Sequence, residues 1–256
     1  MQPTRPHSTQ IPPITLIGPG RVGTSLAAAL AAGGAAAAIA GRDGLAAACA
    51  DAEVALLCVP DGEIAPACAA VAAAAPGLRF IGHTSGATPL SALAAAPVAA
   101  FSIHPLQTVP GPDTDLTGAP AAVAGSDRDA EALAGAIAER CGMVPFTVPE
   151  RARAAYHAAA AIASNFLVTL EASAEELLAA AGVDDGRELL APLVLRTAAN
   201  WAERGPAALT GPIARGDEAT VAAHLDAIAV TAPRLAPMYR ALAERTREIA
   251  AEGARR

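Results

Sequence analysis

The sequence predicts an α/β fold, a doubly wound parallel sheet followed by a smaller all-α domain. Through residue 149, short apolar runs of strand type alternate with segments in which apolar residues recur at helical spacing. From residue 150 onward only the helical spacing remains. A glycine-rich turn joins the first apolar run to the first helical segment. We therefore predict a sheet domain over residues 11–149 and a helical domain over residues 150–256, after a polar, flexible tail over residues 1–10.

In the sheet domain we place seven strands, each a short apolar run that ends at a turn signal. They are expected at residues 14–17, 35–40, 54–59, 78–81, 98–103, 121–124 and 143–148. Helices between them are expected at residues 22–30, 63–75, 90–96 and 127–140, with a short one ending at Cys49. In the helical domain we expect one long helix over residues 150–181 and three more over residues 184–204, 217–228 and 232–251. Doubly wound sheets bind ligands beyond the carboxyl ends of their strands, so we expect the site there.

The turn Gly18-Pro19-Gly20-Arg21-Val22-Gly23 reads GxGxxG, the fingerprint of a Rossmann-type dinucleotide site. The first glycine permits a tight turn, the second lets the backbone approach a pyrophosphate, and the third lets the helix pack closely on the strand. Unpaired N–H groups at the helix N-terminus then face the phosphates. The cofactor-binding residues predicted from this turn are Gly18, Gly20, Arg21, Val22 and Gly23.

Arg42 determines which dinucleotide we expect. It lies at the end of the second predicted strand, the region in which an NAD site places a carboxylate to accept from the ribose 2′-OH. An arginine suits a 2′-phosphate instead, although Asp43 is a weaker signal for NAD. We predict NADP as the cofactor. Further contacts are expected from residues at the ends of the third and fourth strands, namely Val59, Pro60 and Thr84.

Composition excludes several classes of function. A net charge of -7 and an aromatic content of 3% leave no basic stripe and no stacking platform for nucleic acid. Much of the 53% hydrophobic content is alanine, and no run of bulky apolar side chains is long enough to cross a membrane. The four cysteines form no CxxC pair, so we expect buried, reduced thiols in a cytoplasmic protein and no metal site. A small-molecule partner is therefore expected.

The order of several motifs resembles a bacterial family in which a Rossmann-like domain precedes a helical domain of unknown function. The motifs are GPGRVG, Val59-Pro60-Asp61, His83-Thr84-Ser85-Gly86, SIHPLQT over residues 102–108, Tyr156-His157 with Ala163-Ser164-Asn165, and LTGPIARGD over residues 209–217. The family is related to ketopantoate reductases, pyrroline-carboxylate reductases, prephenate dehydrogenases and 3-hydroxyacid dehydrogenases. These enzymes move a hydride between a nicotinamide and a small acid. The resemblance implies an NADP-dependent reductase of a small 2-oxo acid, with ketopantoate as the best single substrate.

One departure from these relatives bears on the proton donor. Hydroxyacid dehydrogenases and ordinary ketopantoate reductases place a lysine one helical turn before an asparagine, whereas here Asn165 is present and position 161 is alanine. Prephenate dehydrogenases use a histidine in a His-Pro motif after a strand, which is where His104 falls. His157 is the nearest substitute for that lysine on the helix and a second catalytic candidate, but it lies two helical turns from Asn165, roughly 12 Å along the axis at about 1.5 Å per residue. We therefore predict His104 as the donor, while Asn165, Ser85 and Arg215 orient the substrate.

Each of these assignments has a structural alternative. Either histidine could be a half-buried core residue, Asn165 could bond across helices, and Ser85 could belong only to a turn. Arg215 could pair with Asp217 in its loop. Aromatic core anchors are expected at Tyr156 and Trp201.

Two other functions and an oligomeric state also follow from the sequence. An imine reductase resembling the pyrroline-carboxylate family would need no acid, because its substrate arrives already protonated. A sensor module would hold NADP without turnover. Alanine-rich helices with more apolar surface than an isolated bundle can bury predict a homodimer through the helical domain.

Overall fold

The computed structural model describes residues 11–253, and the tail predicted over residues 1–10 lies outside them. The chain divides into two compact units, one ending at Ala161 and the other beginning at Ile162. This division falls twelve residues after the predicted boundary at 149/150. It lies later because the first turns of the helix that follows the sheet are bonded to the sheet, through Arg153 and Tyr156.

The described part of the first unit holds a seven-stranded sheet in the order β2-β1-β3-β4-β5-β6-β7. The strands are β1 Ile14–Ile17, β2 Ala37–Ala40, β3 Val54–Leu57, β4 Phe80–His83, β5 Ala99–Pro105, β6 Pro120–Gly125 and β7 Val144–Thr147. β1 to β5 run parallel to one another. The change of direction in strand order on either side of β1 is the arrangement of a doubly wound sheet.

The last two strands correct the expectation of a wholly parallel sheet. β6 pairs with β5 in antiparallel register, and β7 is parallel to β6. Residues 106–119, which connect β5 to β6, contain no helix. A parallel return needs a crossover, usually helical, and without one the chain comes back antiparallel.

Four helices flank this sheet: α1 Arg21–Ala32, α2 Leu45–Ala48, α3 Ile64–Ala74 and α4 Arg128–Arg140. The helix expected at residues 90–96 is instead a single 3₁₀ segment, Leu90–Leu93. Successive strand residues face opposite layers, so Leu16 belongs to the core beneath α1 and α4 and Ile17 to the core beneath α3. Burial on both faces explains the continuous apolar runs of the strands.

The helical part consists of α5 Arg153–Ala163, α6 Asn165–Ala180, α7 Gly186–Arg204, α8 Glu218–Thr231 and α9 Ala236–Gly253. The single helix expected over residues 150–181 is interrupted at Ser164, which has φ −118° and ψ −70°. Serine and asparagine compete with the helix for backbone hydrogen bonds, and here they stand next to each other. No helix within residues 11–253 is both long and apolar enough to cross a membrane.

The second compact unit, which begins at Ile162 and is called the helical unit below, exposes much of its apolar surface. Its buried core is a small cluster around Ile228 and Leu235 at the junction of α8 and α9. None of the α6 residues is buried, and Trp201 is 66% exposed, so the expectation that Trp201 anchors a core is wrong for this chain.

Candidate functional site

The carboxyl edge of the parallel strands gathers most of the predicted site residues in the first unit. β1 leads into Gly18, β2 into Arg42, β3 into Val59 and β4 into Thr84, while His104 is the second-last residue of β5. Because parallel strands end at the same edge, these positions form one row.

The glycine turn has the close packing that its pattern predicts. Gly18 has φ +116°, a left-handed value that favours glycine, and its N–H donates to the Ala40 carbonyl at 2.8 Å. A Cβ at Gly23 would overlap the Gly18 carbonyl oxygen, so only glycine lets α1 begin this close to β1. A Cβ at Gly20, in contrast, would meet open space.

The N-terminus of α1 is available to an anion. Gly20 is its N-cap and offers no side-chain cap, and its first turn has no acidic residue. The first N–H groups of a helix have no partner within it, and they carry the positive end of the helix dipole.

One cavity at this edge, of about 520 Å³, lies beside the glycine turn. Its lining includes Gly18, Pro19, Arg42, Leu45, Val59, Pro60 and Glu63. The Arg42 guanidinium pairs with the Glu63 carboxylate at 2.8 Å, and the Arg42 side chain is 87% exposed. A cationic group with a weakly bound partner thus stands at the mouth of an otherwise apolar cavity.

A second cavity of about 310 Å³ continues along the strand ends, and Val59 lines both. It brings together Arg21, Val22, Asp61, Thr84, Ser85, Gly86, His104 and His157. Both histidines singled out in the sequence are therefore in one cavity.

His104 is held on two sides. Its Nδ1 lies 2.7 Å from the hydroxyl of Tyr156, which stands on α5. A Cβ at Gly86 would lie 2.8–2.9 Å from three contiguous ring atoms, so the imidazole lies flat over this glycine. The His157 ring centroid is 6.0 Å away.

Burial lowers the pKa of His104 to about 4, and the neighbouring His157 and Arg153 contribute in the same direction. The imidazole is therefore neutral at neutral pH. In that state it can donate one hydrogen bond from an N–H, but it is not the cationic acid that the missing lysine would have been.

Beneath the cavity lies a buried cation that the sequence reasoning did not identify. Arg153 is 7% exposed and donates to the Ser102 hydroxyl at 2.9 Å, to the Ser85 carbonyl at 3.4 Å and to Glu150 at 3.1 Å. His83 is also buried, and burial lowers its pKa to about 4. The arginine ties the start of α5 to the turn after β4 and to the middle of β5. The one feature of the sequence that points to Arg153 is its position three residues before Tyr156, which places both side chains on the same face of the helix.

The Ser85 hydroxyl is bonded within its own turn. It donates to Thr88 Oγ1 at 2.9 Å and accepts from the N–H groups of Ala87 and Thr88. These bonds fit the turn alternative better than a contact with substrate. Thr84 also points inward, with its hydroxyl 3.4 Å from the Leu57 carbonyl.

Asn165 and Arg215 lie in the helical unit, and their part in the site remains a prediction. Asn165 is the first residue of α6. Arg215 precedes α8, whose N-cap Asp217 accepts from the N–H and hydroxyl of Thr220. Arg215 and Asp217 are both among the described residues, and no ion pair joins their side chains. Asp217 is therefore a helix cap rather than a partner of Arg215.

A family described as a domain of unknown function, DUF2520, matches residues 119–246, which is half of the chain. The chain belongs to this family. No curated protein matches it. The assignment confirms the family resemblance of the motifs, and the DUF2520 match covers the end of the sheet and most of the helical unit.

Solved structures share the fold of this DUF2520 chain. One is a Bacteroides fragilis protein provisionally assigned as an NADP oxidoreductase, 24% identical over 93% of this chain and 98% of that one, with a TM-score of 0.77. A Thermotoga maritima protein is 23% identical over 95% and 100%, with a TM-score of 0.76. A reductive aminase from Aspergillus terreus, in complex with NADPH and ethyl-5-oxohexanoate, is 18% identical over 92% and 93%, with a TM-score of 0.63. These likenesses confirm the predicted fold class.

The residues of this DUF2520 chain fit the nicotinamide dinucleotide that such a fold implies. The open space at Gly20 and the uncapped start of α1 suit a pyrophosphate. Arg42 follows β2 and lines a mostly apolar cavity beside the glycine turn, and its contact with a ribose phosphate remains a prediction.

Proposed function

We propose that this protein is an NADP-dependent oxidoreductase that reduces a small 2-oxo acid, with ketopantoate as the best single candidate. The observation that carries the proposal is a pair of neighbouring cavities at one sheet edge that share Val59 in their linings, one beside the glycine turn and Arg42, the other beside His104. A dinucleotide with its pyrophosphate at α1 would extend into both. The A. terreus reductive aminase, whose structure contains NADPH, supports the choice of cofactor.

In the proposed reaction bound NADPH supplies a hydride to the carbonyl carbon. The N–H groups at the start of α1 hold the pyrophosphate, and Arg42 holds the 2′-phosphate. His104 donates a hydrogen bond from Nε2 to the carbonyl oxygen, where negative charge develops. Asn165 and Arg215 are proposed to orient the acid.

The pair between Arg42 and Glu63 leads to a prediction about cofactor choice. Arg42→Ala should weaken NADPH binding about 10-fold or more and leave NADH binding nearly unchanged, because only NADPH carries the phosphate that accepts from the guanidinium. Glu63→Gln should tighten NADPH binding about 2- to 5-fold, since the phosphate no longer displaces a carboxylate. Fluorescence titration with both cofactors measures these affinities.

The matched control is Glu53→Gln, which breaks an exposed ion pair with Arg79. This pair lies just before β3 and β4, at the opposite edge of the sheet from Arg42. The substitution should leave both affinities unchanged. Equal affinity of the wild-type protein for NADH and NADPH would contradict the assignment of NADP.

An imine reductase is the second candidate, and the neutral state of His104 favours it. A protonated imine needs no acid, so a histidine with a pKa of about 4 and an alanine at position 161 would suffice. A spectrophotometric panel of NADPH oxidation with small 2-oxo acids and cyclic imines separates the two. Turnover of oxo acids supports the first proposal, turnover of imines alone supports the second, and binding without turnover indicates a sensor.

We also propose a homodimer formed by the helical unit, in a cytoplasmic protein. α6 and α7 expose Phe166, Val168, Leu193, Leu195 and Trp201 at 57–71% of their surface. A second copy of this chain is the partner that we propose for these exposed apolar side chains, since a symmetric interface covers the same helices of both subunits. The four free cysteines suit a reducing compartment.

Charged substitutions on α7 test the dimer. Leu195→Glu combined with Trp201→Glu should convert the protein to a monomer, because two buried carboxylates at an apolar interface cost several kcal/mol. Light scattering gives the mass. Val230→Glu on α8, at a site that is 84% exposed, is the matched control and should leave the dimer intact. A monomeric wild-type protein over a wide range of concentrations would exclude the proposal.

A further inference from the structure

The hydrogen bond between His104 and Tyr156 is one of two side-chain hydrogen bonds that join α5 to β5. On the strand, Ser102 and His104 are two residues apart and therefore share a face. On the helix, Arg153 and Tyr156 are three residues apart and share a face as well. Arg153 bonds to Ser102 at 2.9 Å, and the Tyr156 hydroxyl lies 2.7 Å from His104 Nδ1. The buried arginine thus fixes the helix at the distance that lets the phenol reach the imidazole.

A neutral imidazole is a weak acid on its own. If Nε2 gave its proton to a developing alkoxide and nothing replaced it, the ring would be left as an anion, far outside the range of pKa values useful in catalysis. Efficient donation therefore requires that a second group deliver a proton to Nδ1 in the same step. Tyr156 is the group in contact with that atom.

We propose that Tyr156 is a relay residue that donates its hydroxyl hydrogen bond to His104 Nδ1 and passes a proton through the imidazole to the substrate. This inference rests on the proposed carbonyl reduction. The hydrogen bond from Tyr156 to Nδ1 fixes the tautomer of His104, with the hydrogen on Nε2 directed at the cavity. Because Tyr156 acts through His104, it is a positioning residue with respect to the substrate.

The proposed step balances. The hydride from the reduced nicotinamide forms a C–H bond at the carbonyl carbon while the C=O π bond breaks toward oxygen. The Nε2 proton moves to that oxygen, and the phenol proton moves to Nδ1. The imidazole stays neutral and Tyr156 is left as a phenolate, which solvent then protonates. Burial raises the pKa of the phenol, and Arg153 only partly opposes that rise, so the phenolate readily takes back a proton from solvent.

The chain contains a second histidine–tyrosine pair of nearly the same geometry. In the helical unit, His224 Nδ1 lies 2.7 Å from the Tyr239 hydroxyl, with ring centroids 5.9 Å apart at 89°. The corresponding values for His104 and Tyr156 are 5.6 Å and 87°. The His224 pair is exposed, and it lines none of the cavities that hold the proposed site residues. Tyr239→Phe is therefore a control for the loss of a phenol–imidazole bond as such.

The test compares Tyr156→Phe with Tyr239→Phe in single-turnover reduction of ketopantoate by NADPH. Tyr156→Phe should slow the chemical step about 10-fold or more and leave the Kd for NADPH unchanged, while Tyr239→Phe changes neither. Rates in mixtures of H₂O and D₂O should depend on two transferred protons in the wild-type protein and on one in Tyr156→Phe. A purely structural role of Tyr156 would not alter that dependence.

Two further measurements test the proton relay directly. The ¹⁵N spectrum of the His104 ring should show hydrogen on Nε2 and an accepting Nδ1 in the wild-type protein, with the Nδ1 signal shifted in Tyr156→Phe. Replacing Tyr156 with a fluorinated tyrosine retains the hydroxyl and makes it more acidic, so the relay predicts a faster or equal rate and a pH profile displaced toward acid. A normal rate and a two-proton dependence in Tyr156→Phe would overturn the relay. No turnover of any oxo acid by the wild-type protein would overturn the proposed function itself.

Discussion

Replacing His104 with alanine should lower the rate of hydride transfer to a 2-oxo acid by at least about 100-fold, with NADPH binding nearly intact. The imidazole lines the second cavity and is fixed by Tyr156 and by Gly86, so its loss removes the hydrogen bond to the developing alkoxide. The cofactor contacts predicted at the glycine turn and Arg42 do not involve this ring. Stopped-flow measurement of NADPH oxidation in a single turnover gives the rate directly.

His157→Ala is the matched control, because this second histidine lines the same cavity with its ring centroid 6.0 Å from that of His104. It should cost less than His104→Ala. A larger loss in His157→Ala would move the proton donor to α5. Near-normal rates in both variants with a cyclic imine as substrate would support the imine reductase alternative.

Replacing Gly23 with alanine should weaken NADPH binding by at least about 100-fold. The new Cβ would overlap the Gly18 carbonyl oxygen and would also come within 3.2 Å of Cys58 Cβ. α1 would have to move away from the turn, and the N–H groups that receive the pyrophosphate would move with it. Fluorescence titration of the variant, with its fold checked by circular dichroism, measures the loss.

Alanine variants at two other glycines distinguish a loss of cofactor binding from a loss of folding. Gly135→Ala on α4 meets nothing within 4 Å and should leave both stability and affinity near wild type or slightly improved. Gly20→Ala also meets nothing in the protein, but its methyl group would project into the space proposed for the pyrophosphate. It should fold normally and still bind NADPH about 10-fold more weakly. Wild-type affinity in Gly20→Ala would contradict the proposed position of the cofactor.

Local patterns predicted the seven strands and one crevice at their carboxyl ends, because strand ends and tight turns are set by local chemistry. Gly18 and Gly23 are required where a strand turns directly into a helix, and the apolar runs of β3 and β4 end just before Pro60 and at the turn after His83. The carboxyl-edge rule then brings Arg42, Thr84 and His104 together without any knowledge of tertiary contacts.

The remaining features depend on tertiary contacts, which one sequence does not reveal. Tyr156 looked like a core aromatic, because its distance of 52 residues from His104 leaves no local signal of their bond. Arg153 is buried where the turn after β4 and the middle of β5 offer it a carbonyl and a hydroxyl. No helix is predicted between the fifth and sixth strands, so the sequence already indicated the reversal of β6, whereas the break at Ser164 occurs in a segment with no glycine or proline.

The central claim is that this chain moves a hydride from bound NADPH to the carbonyl carbon of a small 2-oxo acid. Its most direct test is incubation with NADPH that carries deuterium at the transferring C4 position, with ketopantoate as substrate, followed by mass spectrometry of the product. We predict a 2-hydroxy acid with one deuterium at C2, formed in proportion to the NADPH consumed and at a rate that His104→Ala lowers. Saturated binding of NADPH without transfer of deuterium to any 2-oxo acid or imine would contradict it.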